Sequence, residues 1–180
     1  MKIIEPAVIH DFEGVMTGAE VKIGRKYFRD LKHIYGDPQA IDDDTLMYTV
    51  YSYETGDLKD RANLLWGMTV IEPVLVNGEC NMTRGHFHCD TGCPEFYIGL
   101  KGEGLLLLMD EKGEMWAEKV FKGSVHHIDG RLAHRLVNTG DTEMRTAACW
   151  SPMAGHDYAR MEAFPFPRRV YKENGELIIR

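Results

Sequence analysis

Long apolar runs, basic clusters and paired cysteines are scarce in this sequence, and each shortage removes a class of function. No stretch approaches the roughly 18 consecutive apolar residues of a membrane-spanning helix, so no membrane partner is expected. No run of lysine and arginine interrupts an acidic balance of -7. A surface that neutralises nucleic-acid phosphates needs the opposite sign, and nucleic acid is not expected as a partner. The opening "MKIIEPAVIHDFEG" has one lysine and only a short apolar stretch before Glu5 and Pro6, unlike a secretory leader, so the reading is a cytoplasmic protein. The four cysteines, Cys80, Cys89, Cys93 and Cys149, then read as reduced thiols. Cys89 and Cys93 have no second pair to complete a zinc ribbon, and they read as residues that shape the chain beside a site rather than as ligands. A Gly-rich phosphate loop is missing, as are internal repeats, low-complexity tracts and linkers.

What is present is ordinary in bulk and specific in detail. The 180 residues, 44% hydrophobic and 27% charged, are enough to bury a core without a structural metal, so a metal here would serve function. Short runs rich in valine, tyrosine and leucine recur: "TLMYTVYSY", "LLWGMTVIEPVLV", "PEFYIGL", "GLLLLMD", "EMWAEKVF", "SVHHID", "HRLVNTG" and "MRTAACW". Turn signals such as "VNGE", "KGEG", "DEKGE" and "NTGDTE" separate them. Short strands at this spacing predict an all-β protein, an antiparallel sandwich or small barrel. Helical periodicity is convincing only in "GRKYFRDLKHIYGD", where Tyr27, Phe28, Leu31, Ile34 and Tyr35 share a face and Gly36 and Pro38 close it. The tail "RRVYKENGELIIR" reads as a hairpin around Asn174-Gly175. The expected organisation is one structural domain: an N-terminal arm or cap with a short helix over 1–44, a β core over 45–158, and a strand or hairpin tail over 159–180.

"RGHFHCDTGCPEFYIGLKGEG" holds the chemistry. In a strand alternate side chains share a face, so His86 and His88 project together toward one ion. Glu95 follows on the next apparent strand, and a hairpin between the two would set it beside the histidines. His134, at the start of "HRLVNTG", is a fourth candidate. Imidazoles with a carboxylate suit a divalent first-row metal. His126 and His127 are adjacent and face opposite sides, so at most one enters the pocket. His10 and His33 lack partners and read as surface or packing residues.

These motifs carry a resemblance. "GHFH" with Glu95 and Gly102 resembles the first cupin motif, and "GSVHHIDGRLAHRLVN" the second, with His134 as its metal histidine. The gap between His88 and Glu95 is longer than the general motif has and points to one branch, the cupin-type, or archaeal-type, glucose-6-phosphate isomerases. That branch is matched by "TxGHFH" at Thr83–His88, "E-x-Y" at Glu95 and Tyr97, "LKGxG" at Leu100–Gly104, "AHRxVNxGD" at Ala133–Asp141 and "AGHDY" at Ala154–Tyr158. Upstream, "YxVY" at Tyr48–Tyr51 and Thr69 extend it.

The resemblance implies a single cupin domain, an antiparallel jelly-roll β-barrel, that interconverts glucose 6-phosphate and fructose 6-phosphate in glycolysis and gluconeogenesis. It implies one divalent metal ion per subunit on His86, His88, Glu95 and His134, with Fe2+ foremost and Mn2+, Ni2+ or Zn2+ left open by the ligand types. Glu95, His156 and Tyr97 would be catalytic. Tyr48, Thr69, Thr83, the Gly85 backbone and Tyr158 would hold the phosphate of the sugar phosphate substrate. Arg84 would add charge, although alternation turns it away from Thr83. A homodimer is implied as well. Two other classes stand beside this one: a cupin iron dioxygenase, which the same ligand set would suit, and a non-enzymatic sugar-binding cupin.

Overall fold

Period-two alternation decides which side chains meet in this molecule. The structure is a computed structural model that describes residues 3–180. Its largest sheet is antiparallel and has six strands. They are β3 (Lys22–Tyr27), β4 (Leu46–Tyr53), β5 (Leu65–Ile71), β8 (Glu95–Lys101), β11 (Val125–Ile128) and β13 (Met144–Trp150), in the order β11-β8-β13-β5-β4-β3. Before it, β1 (Ile9–His10) and β2 (Met16–Thr17) make a short ribbon. Facing it, β9 (Glu103–Met109) lies between β10 (Met115–Phe121) and β12 (Ala133–Asn138). A third sheet joins β6 (Leu75–Val76) and β7 (Glu79–Cys80) to the C-terminal hairpin of β14 (Val170–Glu173) and β15 (Glu176–Ile179). That hairpin turns at Asn174 and Gly175, both at positive φ, as a tight turn of this kind requires.

The inner face of the large sheet and the buried strand β9 share one core: Met47, Ile71, Leu106, Leu108, Phe87 and Ile128 are sealed inside it. Strand β9 is buried from Gly104 through Met109, which explains the unbroken leucine run where alternation would be expected of a half-exposed strand. The other face of the large sheet carries Met68, Val70, Leu100 and Ala147, and Val8, Val15, Met16 and Val21 from the N-terminal segment cover it. The molecule is therefore an antiparallel jelly roll, mostly β, with short helices at Phe28–Leu31 and Tyr158–Ala163.

The helical expectation over 24–37 is corrected. Lys22–Tyr27 is extended and pairs with β4. The helix α1 keeps only Phe28–Leu31, followed by a 3₁₀ turn at Lys32–Ile34. Ladder bonds at the open edge of β4 satisfy more backbone than a further helical turn would, and the helix retains the residues that anchor it, Phe28 and Leu31, both buried. Asp30 caps the start by accepting a bond from the Tyr27 N–H at 3.0 Å. No helix among the described residues is long and apolar enough to cross a membrane.

Candidate functional site

Inward-facing positions of the large sheet line one cavity of about 260 Å³. They are the even residues of β4 (Tyr48, Val50, Ser52), Gly67 and Thr69 of β5, Glu95 and Tyr97 of β8, and Ala148 and Trp150 of β13. Gly67 has a steric reason to lack a side chain: a Cβ there would sit 2.9 Å from the Trp150 ring. The opposite wall is the extended segment Met82–His86 paired with β12. Met82 stands across from Val137, and His86 across from His134, so the register slips by one residue between the two bridges. Gly85, at φ +74, absorbs that slip. The bulge lets Thr83, Gly85 and His86 all border the same cavity.

The hairpin expected between the His86–His88 strand and the Glu95 strand does not form. His86 and Phe87 are held by isolated bridges, to His134 and Asp157, while β8 pairs with β11 and β13. Glu95 reaches the histidines through a local turn instead. Asp90 accepts from the Gly92 N–H through its side chain at 2.9 Å and from the Cys93 N–H through its carbonyl at 3.1 Å, folding the chain back on itself. The long gap before Glu95 is the length of that turn.

His86, His88, Glu95 and His134 converge, each offering a ligand atom within 4.8 Å of the others. Glu95 Oε1 lies 3.1 Å from His88 Nε2 and 2.6 Å from His134 Nε2. His88 Nδ1 is 2.7 Å from the Cys93 carbonyl, which fixes the N–H on that nitrogen and leaves Nε2 turned into the group. Cys93 thus contributes its main chain rather than its thiol, and a carbonyl has no signature in a sequence. His134 Nε2 is buried without an aligned hydrogen bond. A buried nitrogen pressed against a carboxylate without an aligned hydrogen bond, beside two further imidazoles, fits a divalent cation, whose preferred ligands these are.

Electrostatics agree with a cation site. Burial alone would raise the Glu95 carboxyl, but the adjoining His134 and His88 outweigh it and hold it down at about 2, so it is ionised. Burial, reinforced by His134, His156 and His88, pushes the His86 imidazole well below its ordinary range and keeps it neutral. His88 goes the other way: burial lowers it, yet the bonds to Glu95 and the Cys93 carbonyl leave it raised. Burial and the nearby Glu95 charge push the Tyr97 hydroxyl far up.

His156, in the loop before α2 (Tyr158–Ala163), and Tyr158, the first residue of α2, close the cavity with their rings 5.5 Å apart. The His156 and His86 rings are 4.2 Å apart. Tyr48, Thr69, Thr83, Gly85, Tyr97, His156 and Tyr158 therefore border the same space as the metal group. Burial pushes the Tyr48 hydroxyl up to about 12, so it is a neutral donor. Arg84 ion-pairs with Glu162 at 2.5 Å and lies over the Tyr158 ring at 4.1 Å. His126 stays outside the site: it is buried between Glu118 and Ser124, at 2.6 and 2.8 Å. His127 packs by Phe96, and His10 accepts the Trp66 indole N–H at 2.9 Å.

An antiparallel jelly roll whose inner face gathers three histidines and one glutamate defines a cupin. Within that class, this chain belongs to the glucose-6-phosphate isomerase family: the family model "Glucose-6-phosphate isomerase (GPI)" matches residues 25–179. The glucose-6-phosphate isomerase of Thermococcus litoralis is 32% identical over 100% of this chain and 96% of its own. That of Pyrococcus horikoshii is 35% identical over 93% and 89%. A bacterial relative of the same name, from Sinorhizobium medicae, is 32% identical over 87% and 76%. Among solved structures, an oxalate oxidase bound to the substrate analogue glycolate has a TM-score of 0.48 at 14% identity, over 83% of this chain and 60% of that one.

Proposed function

We propose that this cavity interconverts glucose 6-phosphate and fructose 6-phosphate with a divalent metal held by His86, His88, Glu95 and His134. The observation that carries the reading is the coincidence, in a chain of this family, of the metal-ligand group with neutral phosphate donors around one cavity. Fe2+ is the foremost ion, a homodimer the assembly, and cytoplasmic glycolysis and gluconeogenesis the setting.

Aldose-ketose isomerisation moves a hydrogen between C1 and C2 while charge develops on the two adjacent oxygens. A divalent ion supplies Lewis-acid stabilisation of such charge. The remaining work falls to side chains. Thr69, Thr83, Tyr48, Tyr158 and the Gly85 N–H hold the phosphate, fixing how far the sugar chain reaches toward Glu95. Uncharged donors suit this role because they position a phosphate without adding a point charge to the site. His156 contacts a sugar hydroxyl or assists ring opening, since burial leaves its imidazole lowered and neutral, able to accept a proton. Tyr97, protonated at all working pH, donates to a sugar oxygen beside Glu95.

Glu95 either carries a proton between C2 and C1 or stays a ligand while hydrogen passes directly between the carbons as hydride. Turnover in deuterium oxide decides between them: deuterium at C1 or C2 marks proton transfer, and full retention of protium marks the direct shift.

The activity itself is tested by stripping metal with a chelator, restoring single divalent ions, and assaying fructose 6-phosphate conversion beside oxygen uptake. Isomerisation restored by metal, with no oxygen consumed, is the expected result. Oxygen uptake without isomerisation would replace this reading with a cupin oxygenase. Sedimentation at equilibrium tests the assembly, and a monomer would overturn the homodimer.

A further inference from the structure

The wall formed by Met82–His86 and β12 has a second face. Thr83, Gly85, His86 and Leu136 border the sugar-phosphate cavity, whereas Met82, Arg135 and Val137 turn away and line a separate cavity of about 230 Å³ beneath the C-terminal segment. Arg84 and Tyr158 stand on the rim of both. Four guanidiniums border the second cavity, those of Arg84, Arg135, Arg168 and Arg169, against a single carboxylate, Glu162. Glu79, buried nearby, already pairs with Arg169 at 2.8 Å.

Arg135 is the informative member. It is only 8% exposed and forms no ion pair with any carboxylate among the described residues. Its Nη2 donates to the Arg84 carbonyl at 2.6 Å and its Nη1 to the Met82 sulfur at 2.9 Å, while its Nε–H is buried with no partner. The Phe166 ring covers it, with Cζ 4.9 Å from the ring centroid. A carbonyl and a thioether are poor compensation for taking a full positive charge out of water, and an orphaned N–H adds to the cost. Planar guanidinium donors held in a fixed fork are the groups best matched to phosphate and carboxylate oxygens.

We propose that this second cavity binds a small oxyanion, a phosphate or a compact organic phosphate, through Arg135, Arg168 and Arg169. The apolar part of the lining, which includes Leu107, Met161 and Phe166, suits an organic body attached to the anion. Nothing in this assignment depends on the chemistry of the first cavity.

The test is calorimetric titration of the metal-loaded protein with inorganic phosphate and, separately, with glycerol 3-phosphate. Two phosphates per chain are expected, one displaced by fructose 6-phosphate and one not. Arg168→Glu places a carboxylate at the mouth of the second cavity, at an exposed position with no ion pair among the described residues. It should weaken the fructose-insensitive event tenfold or more and leave KM for fructose 6-phosphate unchanged. Arg135→Met, which keeps the volume and removes the charge, should abolish that event, and Arg168→Glu alone decides the matter if Arg135→Met does not fold. Tighter binding of glycerol 3-phosphate than of phosphate at the Arg168-dependent site assigns an organic ligand, and equal binding assigns the free ion; both support the site. Absence of any phosphate binding that survives saturating fructose 6-phosphate in the unaltered protein, or such binding in Arg168→Glu with undiminished affinity, would overturn it.

Discussion

His134 is where the needs of the fold and of the site meet: its backbone pairs with His86 across the wall, and its Nε2 is buried against the Glu95 carboxylate without an aligned hydrogen bond. Removing it should cost more metal affinity than the roughly 10- to 100-fold lost when an outer hydrogen-bond partner of a ligand is removed. His134→Ala is therefore expected to purify with well under one metal ion per chain and correspondingly little isomerase activity, measured by elemental analysis and coupled assay. Full metal content in that variant would mean the ligands lie elsewhere. His86 allows a pH prediction on the metal-free protein. Its folded pKa lies below the ordinary 6.5, so the unfolded chain takes up a proton that the folded one refuses. Its contribution to stability is fully present above about 6.5 and is lost as pH falls. Between about pH 7 and pH 5, the thermal midpoint of His86→Gln should therefore drop less than that of the unaltered chain. His86, His88, Glu95 and His134 were legible in the sequence because ligand chemistry dictates residue type and strands dictate spacing. The Cys93 carbonyl that orients His88 was not, because every residue carries one.

At the scale of single elements, the bulge at Gly85 and the extent of α1 were the features that sequence periodicity could not supply. Strict alternation would have turned His86 away from Thr83, and only a positive φ at Gly85 brings both to one cavity. A side chain there meets Arg135 Nε at 2.9 Å and the His134 carbonyl at 3.2 Å, besides the strain of its backbone conformation. Gly85→Ala is expected to destabilise by about 1–3 kcal/mol in denaturant titration and to raise KM for the sugar phosphate. An unchanged midpoint would show that the wall relaxes around the added methyl. The helix over-reached in sequence because Tyr27 and Phe28 belong to the apolar stripe whichever conformation they adopt; the free edge of β4, a tertiary partner invisible to local pattern, settled it. The strands of the core, by contrast, were readable one by one, since they are short runs rich in valine, tyrosine or leucine bounded by turn residues.

Across the whole molecule, the metal group ties three pieces of chain that are far apart in sequence: the extended segment at His86 and His88, the first residue of β8, and β12. An ion bound only by the folded state stabilises it, by about 2.7 kcal/mol at a hundredfold excess over Kd. Chelation should thus lower the thermal midpoint by roughly 5–10 °C for a chain of this length, reversibly on adding metal back, by calorimetry. An unchanged midpoint would mean that the four residues hold no ion. The layered β architecture followed from the spacing of runs and turns, but the covering of the outer sheet face by Val8, Val15, Met16 and Val21 did not, because short apolar segments carry no address.

Strand β12 is buried along its whole length, with the His134 imidazole turned into the histidine and glutamate group and the adjacent Arg135 guanidinium lining the second cavity. Because side chains alternate, pairing it one residue out of step would exchange His134 for Arg135 and point a cation into a site meant to bind one. A mispaired chain could then neither take up metal nor place its arginine. An ion held by these four residues would therefore report on register, since only a chain whose sheet has closed correctly would present all four to it.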